Sequence, residues 1–168
     1  DIDNAFSYVQ KKPKSRFPVR DFLIRHRVGI TIPILFCGLI IFWLNFTHYR
    51  DSSFGCDIAI GTDVHLNNGT VKDSLKALKH AMPEKYREVC AHVTMIRTTT
   101  SCEGFGRGCY RGRVGEIYVS TAPGQVLESA EIVVHELCHL RQDEEGRGLD
   151  EDECYLKSDE ALKMLSQF

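Results

Sequence analysis

Positive charge is scarce over most of this 168-residue chain, whose formal net charge is −2. Residues 51–168 carry thirteen Lys or Arg against twenty Asp or Glu, which argues against nucleic acid as a partner of that part. There is no internal repeat and no low-complexity tract, so repeat architectures are excluded. Charge is missing altogether from residues 28–46, and apolar residues there lie on every side of a helix, unlike the single apolar face of a core helix. A small-x-small cleavage site before His48 is also lacking, which argues against a removable signal peptide.

The uncharged run is nineteen residues, enough to cross the hydrocarbon core of a bilayer. Trp43 and Tyr49 suit an interface, and Pro33 is tolerated near the start of such a helix. Before it stand Lys11, Lys12, Lys14, Arg16, Arg20, Arg25 and Arg27, with Pro13 and Pro18 breaking any long helix. Basic residues on this side predict a cytoplasmic tail over residues 1–27 and a signal anchor over residues 28–49. Residues 50–168 then form an extracytoplasmic domain. The cysteines agree. Cys37 lies in the apolar run, and the other six form an even set in the body, as in disulfide-bonded domains outside the reducing cytosol.

Along the body, residues 70–89 have helical spacing (Val71, Leu75, Leu78, Ala81, Met82), divided by Pro83. Asn68-Gly69-Thr70 matches a glycosylation sequon. Residues 93–98 and 115–120 have strand character, as a hairpin or as neighbours in one sheet. Residues 102–109 between them are too rich in glycine to be regular. A helix follows over about residues 126–141, then an acidic loop at 143–148, then a last helix over about 150–166. This order is α+β.

The helix at 126–141 carries the chemistry. His135 and His139 are four apart, hence on one helical face, where two imidazoles can meet one metal ion. Glu136 stands beside them, placed to take a proton from water at that metal. Val133, Val134, Leu137 and Leu140 supply the apolar surface of a buried helix. A chance match would need no third ligand. Catalytic zinc usually has three protein ligands, and the last helix offers candidates. Its less charged stripe is Cys154, Tyr155, Ser158, Ala161, Leu162 and Leu165, and Glu151 lies on it. Glu153 falls on another side with Leu156, Lys157 and Glu160, and is the reserve choice. Either could instead be part of an acidic first turn that complements the helix dipole.

His135-Glu136-Leu137-Cys138-His139 followed by Glu151 resembles the gluzincin group of zinc peptidases, and in size the smallest members, the minigluzincins. The resemblance covers about residues 70–168. It implies a small zincin-like domain: a short sheet whose edge strand holds an extended peptide, an active-site helix, and a Glu-bearing helix after it. By the same resemblance His135, His139 and Glu151 bind Zn2+ and Glu136 is the general base. Two features depart from the group. Only eleven residues separate His139 from Glu151, and Tyr155 stands where an Asp follows the ligand Glu. For stabilising an oxyanion, Tyr155, His92 and Arg113 are candidates and nothing in the sequence selects one.

Cys138 and Cys154 each follow a proposed ligand by three residues, so a disulfide between them would staple the two ligand helices. Free thiols and thiolate ligation of a structural zinc are the alternatives. Among fifteen pairings of six cysteines we favour Cys138–Cys154 and Cys102–Cys109, leaving Cys56–Cys90. The expected function is a membrane-anchored zinc metallopeptidase, a hydrolase acting on a peptide or protein substrate. A disulfide-bonded extracytoplasmic binding domain with a non-catalytic zinc is the second reading, and a subunit of a membrane complex the third.

Overall fold

The computed structural model describes residues 19–62, 68–99, 102 and 107–167, with the backbone alone at 19–31, 45, 62 and 107. Residues 1–18 of the basic tail at 1–27 lie outside them, and residues 19–27, expected to be part of that loose tail, instead open a helix. The chain divides into two units, Asp1–Ile41 and Phe42–Phe168. Helix α1 runs over Val19–Thr47, through the uncharged run, and its described apolar side chains are exposed, Phe42 at 67% and Trp43 at 66%. Among the described residues no helix is long and apolar enough to cross a membrane, and the side chains of 28–31 lie outside those described.

The second unit is a mixed α+β body. Strand β1 (His48–Asp51) turns through Gly55, at φ 67°, into antiparallel β2 (Cys56–Thr62). Helices α2 (Asn68–Ala81) and α3 (Pro83–His92) lead to β3 (Met95–Thr98), parallel to β2. Pro83 opens α3, where its missing N–H costs nothing, so the division expected at this proline is present. Strands β4 (Arg107–Cys109) and β5 (Glu116–Ser120) complete a sheet in the order β1-β2-β3-β5-β4. β5 is parallel to β3, so these two strands are neighbours rather than a hairpin.

Alternation along the strands decides which face is buried. Ile60, Ile96 and Ile117 fall in register across the three central strands and are fully or nearly fully buried. They join Val71, Leu75, Leu78, Val133 and Leu137 in one core. Helix α4 (Val126–Glu144) packs on that face against β4, β5, α2 and α5 (Glu151–Leu165). It runs three residues further than the sequence suggests. Arg141 pairs with Glu144 and Glu145 one turn on, and the chain then turns at Gly146, φ 66°. Asp150 caps α5, its side chain accepting the Glu153 N–H.

Two further expectations need correction. Residues 102–109 were expected to be irregular, yet Arg107–Cys109 pair with β5 as an edge strand, because Gly108 lets the backbone lie close against α4. His48 and Tyr49, assigned to the anchor, belong to β1. Tyr49 is buried, its hydroxyl 3.0 Å from that of Tyr86. The sequon asparagine is also buried at the start of α2. Asn68 Nδ2 donates to the Phe46 carbonyl at 3.2 Å, so the folded chain does not offer this amide for modification. All three disulfides favoured from the sequence are formed: Cys56–Cys90 joins β2 to α3, Cys102–Cys109 closes the loop before β4, and Cys138–Cys154 joins α4 to α5.

Candidate metal centre

The two histidines meet as the four-residue spacing requires. His135 Nε2 and His139 Nε2 are 3.1 Å apart on α4. From the first turn of α5, Glu151 Oε2 lies 3.2 Å from His135 Nε2 and 3.3 Å from His139 Nε2. Among the described residues no other group of His, Cys, Asp or Glu is arranged to hold a metal. The buried stripe of α5 brings Glu151 there: Cys154, Ser158, Ala161 and Leu165 are buried, while Tyr155 is 55% exposed. Glu153 is turned away. Its carboxylate takes Arg147 at 2.9 Å, Lys157 at 2.6 Å and Gln142 at 3.0 Å, which hold it well below the ordinary glutamate pKa, at about 2.

Gln142 has no signal in the sequence, yet it fixes the chemistry of His139. Its side chain is fully buried. The Asp150 backbone N–H donates to Gln142 Oε1 at 2.9 Å, and Gln142 Nε2 donates to the Asp150 carbonyl at 3.1 Å. A backbone N–H can only donate and a carbonyl can only accept, so the orientation of the amide is determined. The same Oε1 faces His139 Nδ1 at 3.3 Å, and His139 Nδ1 must therefore carry the proton. In the neutral ring this leaves Nε2 as a lone pair directed at Glu151 and His135. Burial, followed by the neighbouring His139, holds His135 below its ordinary pKa and so favours its neutral form.

The His139 Nε2 lone pair and the Glu151 carboxylate oxygen, 3.3 Å apart, repel one another unless a proton or a cation lies between them. Edges of 3.1–3.3 Å match a tetrahedron whose centre is about 2 Å from each corner, the usual zinc–nitrogen and zinc–oxygen distance. Two nitrogens and one carboxylate are also a catalytic zinc donor set. The residues fit the ion.

Glu136 is 2% exposed, and its Oε2 has no hydrogen-bond partner among the described residues. Burial and the charge of Glu151 push its pKa up to about 8. Strand β4 passes directly over it. A Cβ on Gly108 would stand 2.5 Å from Ile132 Cγ2 and 2.7 Å from Glu136 Cγ, so only glycine fits this crossing. The four groups open on a cleft of about 670 Å³, also lined by Tyr110, Arg111, Glu131, Leu149 and Tyr155. Of the three oxyanion candidates, Tyr155 lines this cleft, its ring centroid 4.6 Å from that of His135. His92 instead pairs with Glu144 at 2.9 Å, and Arg113 with Glu116 at 3.5 Å, both away from the cleft lining.

No protein family, curated protein or solved structure matches the chain.

Proposed function

We propose that this chain is a membrane-anchored, zinc-dependent peptidase of gluzincin type. His135, His139 and Glu151 are its metal ligands and Glu136 is its general base. The observation that carries this reading is the convergence of His135 Nε2, His139 Nε2 and Glu151 Oε2, with the His139 tautomer set by Gln142, beside a buried carboxylate with an oxygen that has no partner among the described residues. A zinc ion held there would supply a Lewis acid for the scissile carbonyl and acidify a water. Glu136 accepts the proton of the attacking water and passes it to the leaving amine nitrogen. Strand β4, last in the sheet among the described strands, offers a backbone edge on which an extended peptide adds as a further strand. Tyr155, which lines the cleft beside His135, is the oxyanion donor in this reading.

The anchor and its orientation rest on the uncharged run, the basic residues before it, the exposed apolar surface of α1 and three disulfides in the body. A binding domain with a non-catalytic zinc would have no use for Glu136, whose burial without a partner costs stability. The test is metal content and peptide hydrolysis of the purified full chain, with Glu136→Gln alongside. Zinc at about one per chain, with hydrolysis lost in the variant, supports the reading. A folded chain that takes up no zinc refutes it.

A further inference from the structure

Glu131 is a second unexplained carboxylate in the same cleft. It lies on α4 one turn before His135 and lines the cleft with Ile132, Tyr110 and Arg111. Among the described residues it has neither a hydrogen bond nor an ion pair, although it is half-buried. Burial first, then the charges of Asp159 and Glu128, disfavour its ionised form. Capping does not account for it, because Glu131 is the sixth residue of α4 and the dipole effect fades within the first turn. Arg111 is directed elsewhere, its guanidinium 4.4 Å above the Tyr118 ring. A half-buried acid in a cleft wall, without an ion pair among the described residues and repelled by Asp159 and Glu128, is poorly placed for stability and well placed for a cation.

Building on the peptidase reading, we propose that Glu131 is the specificity-determining residue of the cleft and receives a cationic group of the substrate. One helical turn separates it from His135, about 5.4 Å along the axis, which is one to two residues of extended peptide. The ammonium or guanidinium group therefore lies one or two residues from the bond that is cleaved. A lysine or arginine side chain and a free N-terminus share this chemistry, and only one of them fits a given register.

The test separates peptide recognition from cleavage by using binding to the zinc-loaded full chain carrying Glu136→Gln. Fluorescent N-acetylated peptides with a central Lys, Ala or Glu are compared with a free-amine peptide of neutral side chains. The Lys peptide, or the free-amine peptide, should bind about tenfold tighter than the acetylated Ala peptide. Adding Glu131→Gln should bring that ratio close to one, and Glu131→Lys should invert it in favour of Glu. Equal binding of all peptides, or a cation preference that survives both substitutions at Glu131, overturns the assignment while leaving a peptide groove in place. Binding of no peptide overturns the assignment and the groove together. Cation-selective binding that depends on Glu131, with no cleavage by the wild-type chain, supports the assignment and removes the hydrolase reading instead.

Discussion

Gln142 Oε1 faces His139 Nδ1 at 3.3 Å while accepting the Asp150 N–H at 2.9 Å. One buried amide thus sets the tautomer of a proposed ligand and docks the start of the helix that carries Glu151. Gln142→Ala should weaken zinc binding by about ten- to a hundredfold, the usual scale for an outer-shell partner of a ligating histidine. Competition with a chelator measures this. Glu153→Gln keeps a hydrogen-bond acceptor for the Gln142 amide and should cost much less. Should Glu153→Gln release zinc more readily than Glu151→Gln, the assignment of the third ligand is wrong.

The Cys138–Cys154 disulfide holds α4 to α5 directly behind the cluster, with Cys154 Sγ 3.5 Å from His139 Nδ1. It closes a loop of 16 residues, for which the chain-entropy estimate is about 3 kcal/mol. The double Cys→Ala variant should lose stability on that scale in a urea titration. It should also bind zinc more weakly, because Glu151 is positioned by the stapled helix. Zinc should recover part of the lost stability, and a variant that binds zinc as tightly as wild type would separate the staple from the site.

How much of this was legible beforehand follows from which interactions are local. His135, Glu136 and His139 sit on one helix, so their spacing alone placed them together. Glu151 and the Cys138–Cys154 pair came from matching offsets on two amphipathic helices, a weaker inference that the packing of α4 on α5 sustains. Gln142 and Glu131 carry no such pattern, because each is singled out by what surrounds it in space. Strand β4 was hidden for another reason. Glycine suggests irregularity in a sequence, whereas Gly108 permits a close strand–helix crossing. Tyr49 was misplaced because a tyrosine after an apolar run looks interfacial until Tyr86, thirty-seven residues on, supplies its partner.

At the other end of the body, Asp51 in β1 takes Lys79 at 2.6 Å, Tyr86 at 2.9 Å and the Ser53 N–H at 3.1 Å. Lys79 first, and Ser53 next, hold its carboxyl well below the ordinary aspartate range. A depressed folded pKa stabilises the folded state above the unfolded value, about 3.9, and that contribution is lost as pH falls below it. Asp51→Asn should therefore lower Tm at neutral pH, and the gap from wild type should narrow below about pH 4. Thermal unfolding across pH 2–8 checks this. A gap that stays constant with pH would mean that the loss comes from packing rather than charge.

Glu136→Gln bears on both catalysis and stability, with opposite signs. Hydrolysis should fall by about two to four orders of magnitude, the scale of general acid–base catalysis. Metal-free protein should respond differently. The Glu136 carboxyl is pushed up to about 8 by burial and by Glu151, so its folded value lies above the unfolded one, about 4.3. Between those values the folded state holds a proton that the unfolded state releases, and stability falls as pH rises. Gln carries no charge and escapes this. Metal-free Glu136→Gln should match wild type near pH 4 and become more stable above it, by on the order of a few kcal/mol at pH 8. Zinc should shrink that difference, since a nearby cation favours the ionised carboxylate. Urea titrations of both proteins at pH 4, 6 and 8, with and without zinc, measure every part of this. Parallel curves at all three pH values would mean that Glu136 ionises freely, and a base buried against its own ionisation would have to be given up.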